Sequence, residues 1–273
     1  MKAFGNNRKQ GLSSVRQAHC KAQAHGLLKK LWIESPDEID LVALAHQAGS
    51  LRIEDGGLEN ADGRIVAPGP SGGMIRVKAG MNPGRRRFTI AHEIGHYVLH
   101  SREGLDRDDT AANFMVWNDP GEESEANTFA AELLMPEFLF KPRAKKTPPS
   151  LASLDRLASD FSTSTLATAF QYVTHTIEQV ALVVSVGGNV KWFHKANDFW
   201  PSVRLGALHP HSAAGEIAAG KAADTGKMVR VSAYAWLSEF ENDSRKEIKE
   251  DSRYIEWYGC VVTLLWLYDD LND

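Results

Sequence analysis

Residues 92–96 read HEIGH, and these residue types at this spacing could hold a metal ion. Four residues are close to one α-helical turn, so His92 and His96 would project from the same face of a helix and could bind one ion. Glu93 follows the first histidine and could reach a water molecule bound to that ion. In this pattern the two imidazoles bind zinc and the glutamate is the general base. The five residues alone do not separate such a site from an ordinary helix that carries two histidines.

A catalytic zinc ion needs a third protein ligand, and GEESEANTFAAELLMP at residues 121–136 offers several carboxylates. The stretch is acidic at its start, rich in alanine and leucine afterwards, and ends at a proline, which predicts a second helix. Glu125 flanks the apolar stripe of that helix and could face a neighbouring helix. We interpret Glu122 and Glu123 as acids that cap and solvate the helix. The apolar stripe consists of Ala126, Phe129, Ala130 and Leu133.

His100 is a rival ligand, because it lies two turns beyond His92 on the same predicted helix. We interpret it as a group that flanks the pocket behind the ligands. A peptide-cleaving site also needs a donor for the oxyanion. Tyr97, His100 and the arginines at 85–87 are all candidates for that role, and the residue pattern does not choose between them.

The two blocks RFTIAHEIGHYVLH and EANTFAAELLMP, in this order between Arg87 and Pro136, resemble the ImmA/IrrE family of zinc metallopeptidases. The similarity extends upstream through IDLVALAHQAGSLRI and a region punctuated by glycines, so that it spans roughly residues 37–140. The resemblance implies an α+β fold: a zincin-like helical metallopeptidase domain with a small antiparallel sheet. A helix pair would follow it, as in related members of the family, whereas the mainly β C-terminal module that we expect after the pair departs from the minimal form of the family.

The resemblance also implies roles for individual residues. It makes His92, His96 and Glu125 the ligands of Zn²⁺ and Glu93 the general base of a zinc endopeptidase. It further implies a protein substrate, a helix-turn-helix transcriptional repressor whose cleavage relieves repression after stress. An edge strand of the small sheet could hold the substrate by adding it as a further strand.

The composition agrees with a globular enzyme. The chain has 273 residues, of which 43% are hydrophobic and 24% charged, as in ordinary globular proteins. Its net charge of −4 argues against a protein built chiefly to hold nucleic acid. Cys20 and Cys260 lie at opposite ends of the chain and indicate neither a disulfide framework nor a cysteine zinc site. We find no signal peptide and no apolar run long enough to span a bilayer, and we therefore expect a cytoplasmic protein without membrane contact.

The pattern predicts four segments along the chain. A basic N-terminal extension, with a helix near residues 12–32, precedes a peptidase domain that opens with an amphipathic helix over residues 37–49. Short β-like runs follow over residues 51–79. KPRAKKTPPS at residues 141–150 is a connector. The segments are residues 1–36, 37–145, 151–177 and 178–273.

Residues 151–177 predict two short helices joined at STS, which resemble a helix-turn-helix. A recognition helix needs side chains that read bases, and TSTLATAFQY offers only Gln171. We therefore expect a packing or docking role and no DNA contact. VALVVSVGGNVKWFHK at residues 180–195 predicts a β-hairpin, and further β-like runs make residues 178–273 a mainly β module of unknown role.

Two other functions remain open from the sequence. One is a protease-like module that holds a repressor or toxin partner without cutting it. The other is a DNA-binding regulator that works through residues 151–175, which the acidic charge balance disfavours. The presence of both the ligand pattern and Glu93 favours the enzyme, since a non-cleaving module could lose Glu93 without penalty.

Overall fold

The computed structural model describes residues 12–69, 72–100, 105–109, 121–241, 243 and 245–268. The chain divides into two compact units. The first comprises residues 1–139 and 160–163, and the second comprises residues 140–159 and 164–273. The fold is of the mixed α+β class, as predicted. No helix in the described ranges has the length and apolar character needed to cross a membrane.

Among the described residues, the first unit contains four whole helices, and a fifth begins in this unit and ends in the second. The predicted helix over residues 37–49 begins later, because the Asp40 side chain caps it by accepting hydrogen bonds from the backbone N–H groups of Val42 and Ala43. Residues 36–38 form a 3₁₀ turn instead. The connector predicted at residues 141–150 begins inside the fifth helix. The helices are α1 (Ser14–Lys30), α2 (Leu41–Gly49), α3 (Pro83–His100), α4 (Glu122–Leu134) and α5 (Glu137–Ala144).

The described part of the N-terminal extension is an integral helix of the first unit. Helix α1 packs against α4 and buries Cys20, Ala24, Leu27 and Leu28. His25 of this helix lies 2.6 Å from the carboxylate of Glu132 on α4. Residues 1–11 of the predicted extension lie outside the described residues.

A four-stranded sheet, in the order β1-β3-β2-β4, lies beside these helices. Strands β2 and β3 form an antiparallel hairpin, and β4 pairs antiparallel with the other edge of β2. The prediction of an antiparallel sheet is wrong for β1, which runs parallel to β3 because the chain reverses direction twice between these two strands and β1 pairs with β3 instead of with β2. The strands are β1 (Leu51–Gly56), β2 (Gly63–Ala67), β3 (Gly73–Lys78) and β4 (Leu105–Asp109).

Helix α3 is the centre of the first unit, since it contacts both the sheet and α4. Its residues Ile90 and Ile94 are fully buried, as are Ile65 and Ile75 of the sheet. At Gly95 the two helices come very close, because a Cβ atom there would lie 3.2 Å from the Cα and carbonyl oxygen of Ala126. This glycine lets the first turn of α4 approach the two histidines.

The second unit contains the predicted helix pair, except for residues 160–161 at the end of its first helix, and an antiparallel sheet of six strands in the order β7-β6-β5-β10-β9-β8. The predicted hairpin at residues 180–195 forms around Gly187 and Gly188, which both have positive φ angles. The helices are α6 (Leu151–Phe161), α7 (Thr165–His175) and α8 (Ala213–Ala218). The strands are β5 (Val180–Val186), β6 (Asn189–Lys195), β7 (Gly206–Ala207), β8 (Val229–Ser232), β9 (Glu247–Ile255) and β10 (Cys260–Trp266).

Candidate metal centre

His92 and His96 meet on one face of α3, as their spacing predicts. Their Nε2 atoms lie 2.9 Å apart, and both side chains are fully buried. Burial is the main cause that lowers the pKa of His96 to about 4, so this imidazole is neutral at neutral pH. Two imidazoles whose Nε2 atoms converge on one point are suited to binding a metal ion.

Two carboxylates complete the cluster, and they come from different elements. Glu123 Oε2, from the first turn of α4, lies 3.4 Å from His92 Nε2, and Glu123 Oε1 lies 3.7 Å from His96 Nε2. Asp109 Oδ2, from the end of β4, lies 3.8 Å and 3.6 Å from the same two nitrogens. One donor atom from each of the four residues lies within 4.8 Å of the other three. This donor set suits a divalent transition metal such as zinc.

The structure does not bring Glu125 to the histidine pair. Its Oε2 atom lies 2.9 Å from His100 Nε2, and its Oε1 atom forms an ion pair of 3.1 Å with Arg16 on α1. The acid that α4 turns toward the two Nε2 atoms is Glu123, which we had interpreted as a capping and solvating residue. The physical reason is the rotation of α4 about its axis, which the close contact between Gly95 and Ala126 sets.

Glu93 lies fully buried beside the cluster. No donor from the described residues reaches either oxygen of its carboxylate. Burial and the neighbouring carboxylates of Asp109 and Glu123 raise its pKa well above the ordinary value for a glutamate. Strand β2 makes room for it, because a Cβ atom at Gly63 would collide with Glu93 Oε1 and with the methyl group of Thr89.

The outer nitrogens of the histidines have partners that fix the rings. His92 Nδ1 lies 2.9 Å from Asn127 Oδ1, and in the tautomer that donates this hydrogen bond the Nε2 lone pair faces the cluster. His96 Nδ1 lies 3.2 Å from His100 Nδ1 and 3.3 Å from the Arg107 guanidinium. His100 thus stands behind His96, in the flanking position that we had assigned to it.

Arg107 ties β4 to α4 at the edge of the cluster. Its guanidinium donates to Glu122 at 2.7 Å and lies 2.9 Å from Glu123 Oε1. Burial opposes the ionisation of Glu123, but the adjacent imidazoles of His92 and His96 outweigh it and lower the pKa of this carboxyl. Glu123 is therefore a carboxylate at neutral pH, which is the form that binds a metal.

The other oxyanion candidates make contacts with residues outside the four-residue cluster. The Tyr97 hydroxyl packs against Gly49 of α2. Arg85 pairs with Asp62, Arg86 pairs with Asp55 at 2.8 Å, and Arg87 donates to the carbonyl oxygen of Ile39. The predicted addition of a peptide strand is also excluded at β2, the strand next to Glu93, because β3 and β4 already pair with both of its edges. On that side of the sheet the edge strand is β4.

The sequence did not lead us to predict Asp109 or Glu123 as candidate metal ligands. A signal for Glu123 was available, since it lies three and four residues before Ala126 and Asn127 and therefore shares their helix face. No comparable signal exists for Asp109, because its place depends on the pairing of β4 with β2.

Comparisons with known proteins point to one family. Residues 48–172 match the peptidase family model described as the IrrE N-terminal-like domain. The radiation response metalloprotease IrrE of Deinococcus radiodurans is 28% identical over 129 residues, which are 47% of this chain and 39% of the relative. The chain thus matches about two fifths of the length of that curated relative.

A solved structure resembles the chain over most of its length. A Mycobacterium tuberculosis transcriptional regulator superposes with a TM-score of 0.58 over 93% of this chain and 77% of the regulator, at 16% sequence identity. At this identity the likeness concerns the fold alone.

Proposed function

Because the chain belongs to the ImmA/IrrE family through its IrrE N-terminal-like domain at residues 48–172, we propose that it is a zinc-dependent endopeptidase. The observation that carries the proposal is the cluster of the buried residues His92, His96 and Asp109 with the partly buried Glu123, and with the buried Glu93 at its side. These acids lie close together, and a divalent cation would add to the positive charge that Arg107 supplies to Glu123.

His92, His96 and Glu123 are the proposed zinc ligands, with Asp109 as a fourth donor beside them. Glu123 replaces Glu125 in this assignment because of its distances to both Nε2 atoms. A bound zinc ion supplies Lewis-acid chemistry, which acidifies a water molecule and polarises a carbonyl group.

Glu93 is the proposed general base. Its carboxylate takes the proton of the attacking water and gives it to the leaving amine. Burial and two neighbouring acids keep its proton affinity high, which suits a group that must both accept and return a proton. Asn127 holds the ring of His92, while His100 and Arg107 hold that of His96.

The proposed substrate is a protein, a helix-turn-helix transcriptional repressor whose cleavage relieves repression. This part of the proposal rests on the family and makes the chain a cytoplasmic regulator of a stress response. Contact with DNA is not part of the proposal. The helices α6 and α7 form as predicted, and the base-reading side chain offered by the second is Gln171.

The test uses the full chain, loaded with zinc, and purified helix-turn-helix repressors encoded beside its gene. We expect defined fragments by mass spectrometry, and we expect a chelator to abolish them. Glu93→Gln should keep bound zinc and slow cleavage by about 10²- to 10⁴-fold, the usual contribution of a general base. Glu59→Gln is the matched control, because Glu59 is exposed and lies outside the cluster. Full cleavage by Glu93→Gln would refute its role.

The four-donor cluster also favours a second candidate. Structural zinc sites are closed by four protein ligands, whereas catalytic sites keep one position open for water. If Asp109 closes the site permanently, the chain is a protease-like module that binds a repressor or toxin without cutting it. Repressor binding without fragments, unchanged in Glu93→Gln, would identify this module.

A further inference from the structure

The second unit contains a cavity of about 570 Å³, far from the predicted chemistry in sequence. Its floor is a row of three side chains on adjacent strands. Val261 of β10 pairs with Ser185 of β5 on one side and with Tyr254 of β9 on the other. Cross-strand partners in an antiparallel sheet point to the same face, so the three side chains line one surface.

The roof of this cavity is the end of α8 and the turn that follows it, including Ile217 and Ala222. It is anchored at both ends. Before the cavity, the buried carboxylate of Glu250 accepts the N–H groups of Ala213 and Ala214 at 3.1 and 2.7 Å. After it, the carbonyl oxygen of Ala223 accepts the backbone N–H of Tyr254 at 3.0 Å. Both ends of the roof segment are therefore hydrogen-bonded to β9, and these bonds keep the cavity between the segment and the sheet open.

One polar side chain in the floor lacks a partner. Ser185 is 1% exposed, and its hydroxyl makes no hydrogen bond with any residue in the described ranges. A buried hydroxyl without a partner destabilises the fold, so such a group is expected where a ligand or water completes it. Ser185 stands directly beside Val261, which places a buried hydroxyl without a partner among the described residues on a floor whose other polar group is the Tyr254 hydroxyl.

The lining carries no formal charge. The side chains that the structure describes around this cavity are aliphatic or belong to glycine, serine and tyrosine. A charged ligand would lose its hydration there without gaining an opposite charge. A cavity of this volume lies within the range of small-molecule sites, which are mostly apolar with a few placed polar groups.

From these observations we infer that the second unit binds a small uncharged molecule with an apolar body, held through one hydrogen bond to the Ser185 hydroxyl. The site lies in a different unit from the metal centre, so the inference does not depend on the proposed peptidase activity.

Phenol and benzoate are suitable probes, because both have an apolar ring and only phenol is uncharged. We would label the isoleucine methyl groups of the full chain with ¹³C and follow Ile217, which is buried in the roof. Millimolar phenol should shift the Ile217 methyl signal saturably, and benzoate should not. Ser185→Ala should weaken phenol binding by about five- to tenfold, the usual effect of one neutral hydrogen bond.

Two further variants separate the site from general effects. Ser238→Ala removes an exposed hydroxyl outside the cavity and should leave phenol binding unchanged. Ala222→Trp places a large ring at the exposed rim and should abolish binding even if Ser185→Ala fails to fold. An Ile217 signal that phenol does not move, or equal phenol affinity in the wild type, Ser185→Ala and Ala222→Trp, would overturn the inference.

Discussion

The carboxylate of Glu125 lies 2.9 Å from His100 Nε2, one helical turn beyond His96 and away from the Nε2 atoms of the histidine pair. This contact places Glu125 beside His100, outside the group of atoms around the two Nε2 nitrogens. His100 in turn lies 3.2 Å from His96 Nδ1, so the chain of contacts runs from Arg16 through Glu125 and His100 to the proposed ligand His96. The acid in direct reach of both Nε2 atoms is Glu123, two residues earlier.

The first prediction separates these two glutamates. Glu123→Ala should weaken zinc binding by more than about 100-fold, because it removes a ligand, whereas Glu125→Ala should cost about tenfold or less, as for an outer hydrogen-bonding partner. Both substitutions remove a carboxylate from the first turns of α4, so they are matched controls for each other. Zinc content after dialysis and competition with a chromophoric chelator measure the difference. The reverse order of the two affinities would return the third ligand to Glu125.

The second prediction concerns Asp109. If three residues suffice to hold the metal, Asp109→Ala should keep near-stoichiometric zinc and lower the affinity by about tenfold. Asp108→Ala is the matched control on the same strand, since Asp108 is exposed and points away from the cluster toward Arg64. Loss of zinc as complete as in Glu123→Ala would make Asp109 an obligatory fourth ligand and would favour the non-cleaving module.

The third prediction concerns Gly63, which packs directly against the carboxylate of Glu93. Gly63→Ala places a Cβ atom on Glu93 Oε1, so the carboxylate must move. A displacement of about 1 Å at a catalytic group can cost about 100-fold in rate. We therefore expect a large loss of repressor cleavage with zinc still bound. Gly69→Ala is the control, because a Cβ atom at Gly69 meets nothing within 4 Å. Equal cleavage rates for the two variants would show that the position of Glu93 is not set by β2.

Parts of the site that local helix geometry sets can be predicted from the sequence, whereas parts that tertiary contacts set cannot. The histidine pair and Glu93 lie within one helical turn, so local geometry alone brings His92 and His96 together. The third acid depends on how α4 is rotated against α3, and that rotation is set by a tertiary contact between Gly95 and Ala126. Asp109 depends on the pairing of β4 with β2, two segments about forty residues apart in sequence, and no local pattern encodes it.

In the four-stranded sheet, likewise, local sequence predicts where strands form but not the direction in which they pair. Alternation predicts that residues 51–79 form strands, and they do. The parallel direction of β1 depends on its pairing with β3, the second strand of the following hairpin, instead of with β2, the first. Strand direction is therefore a property of the connection, which a residue pattern inside the strand cannot show.

The last prediction concerns the pH dependence of stability through His194 in the second unit. Its ring stacks on Phe170 with centroids 4.2 Å apart, and its Nε2 atom lies 2.9 Å from the Thr174 hydroxyl. Burial lowers the pKa of His194 from 6.5 to about 4. As the pH falls, the unfolded chain takes up this proton near pH 6.5, but the folded chain does so only near pH 4. The free energy of unfolding should therefore decrease between these two values, by up to about 1.4 kcal/mol per pH unit for this group.

His194→Gln should flatten this decrease, because glutamine does not titrate. His46→Gln is the control, since His46 is exposed on α2 in the first unit. Thermal unfolding midpoints of the wild type and both variants across this pH interval measure the slopes. The comparison between variants isolates His194, because the buried His96, which also titrates late, is present in all three proteins. If the midpoint of His194→Gln falls with pH as steeply as that of His46→Gln, the folded protein must bind the His194 proton as readily as the unfolded chain.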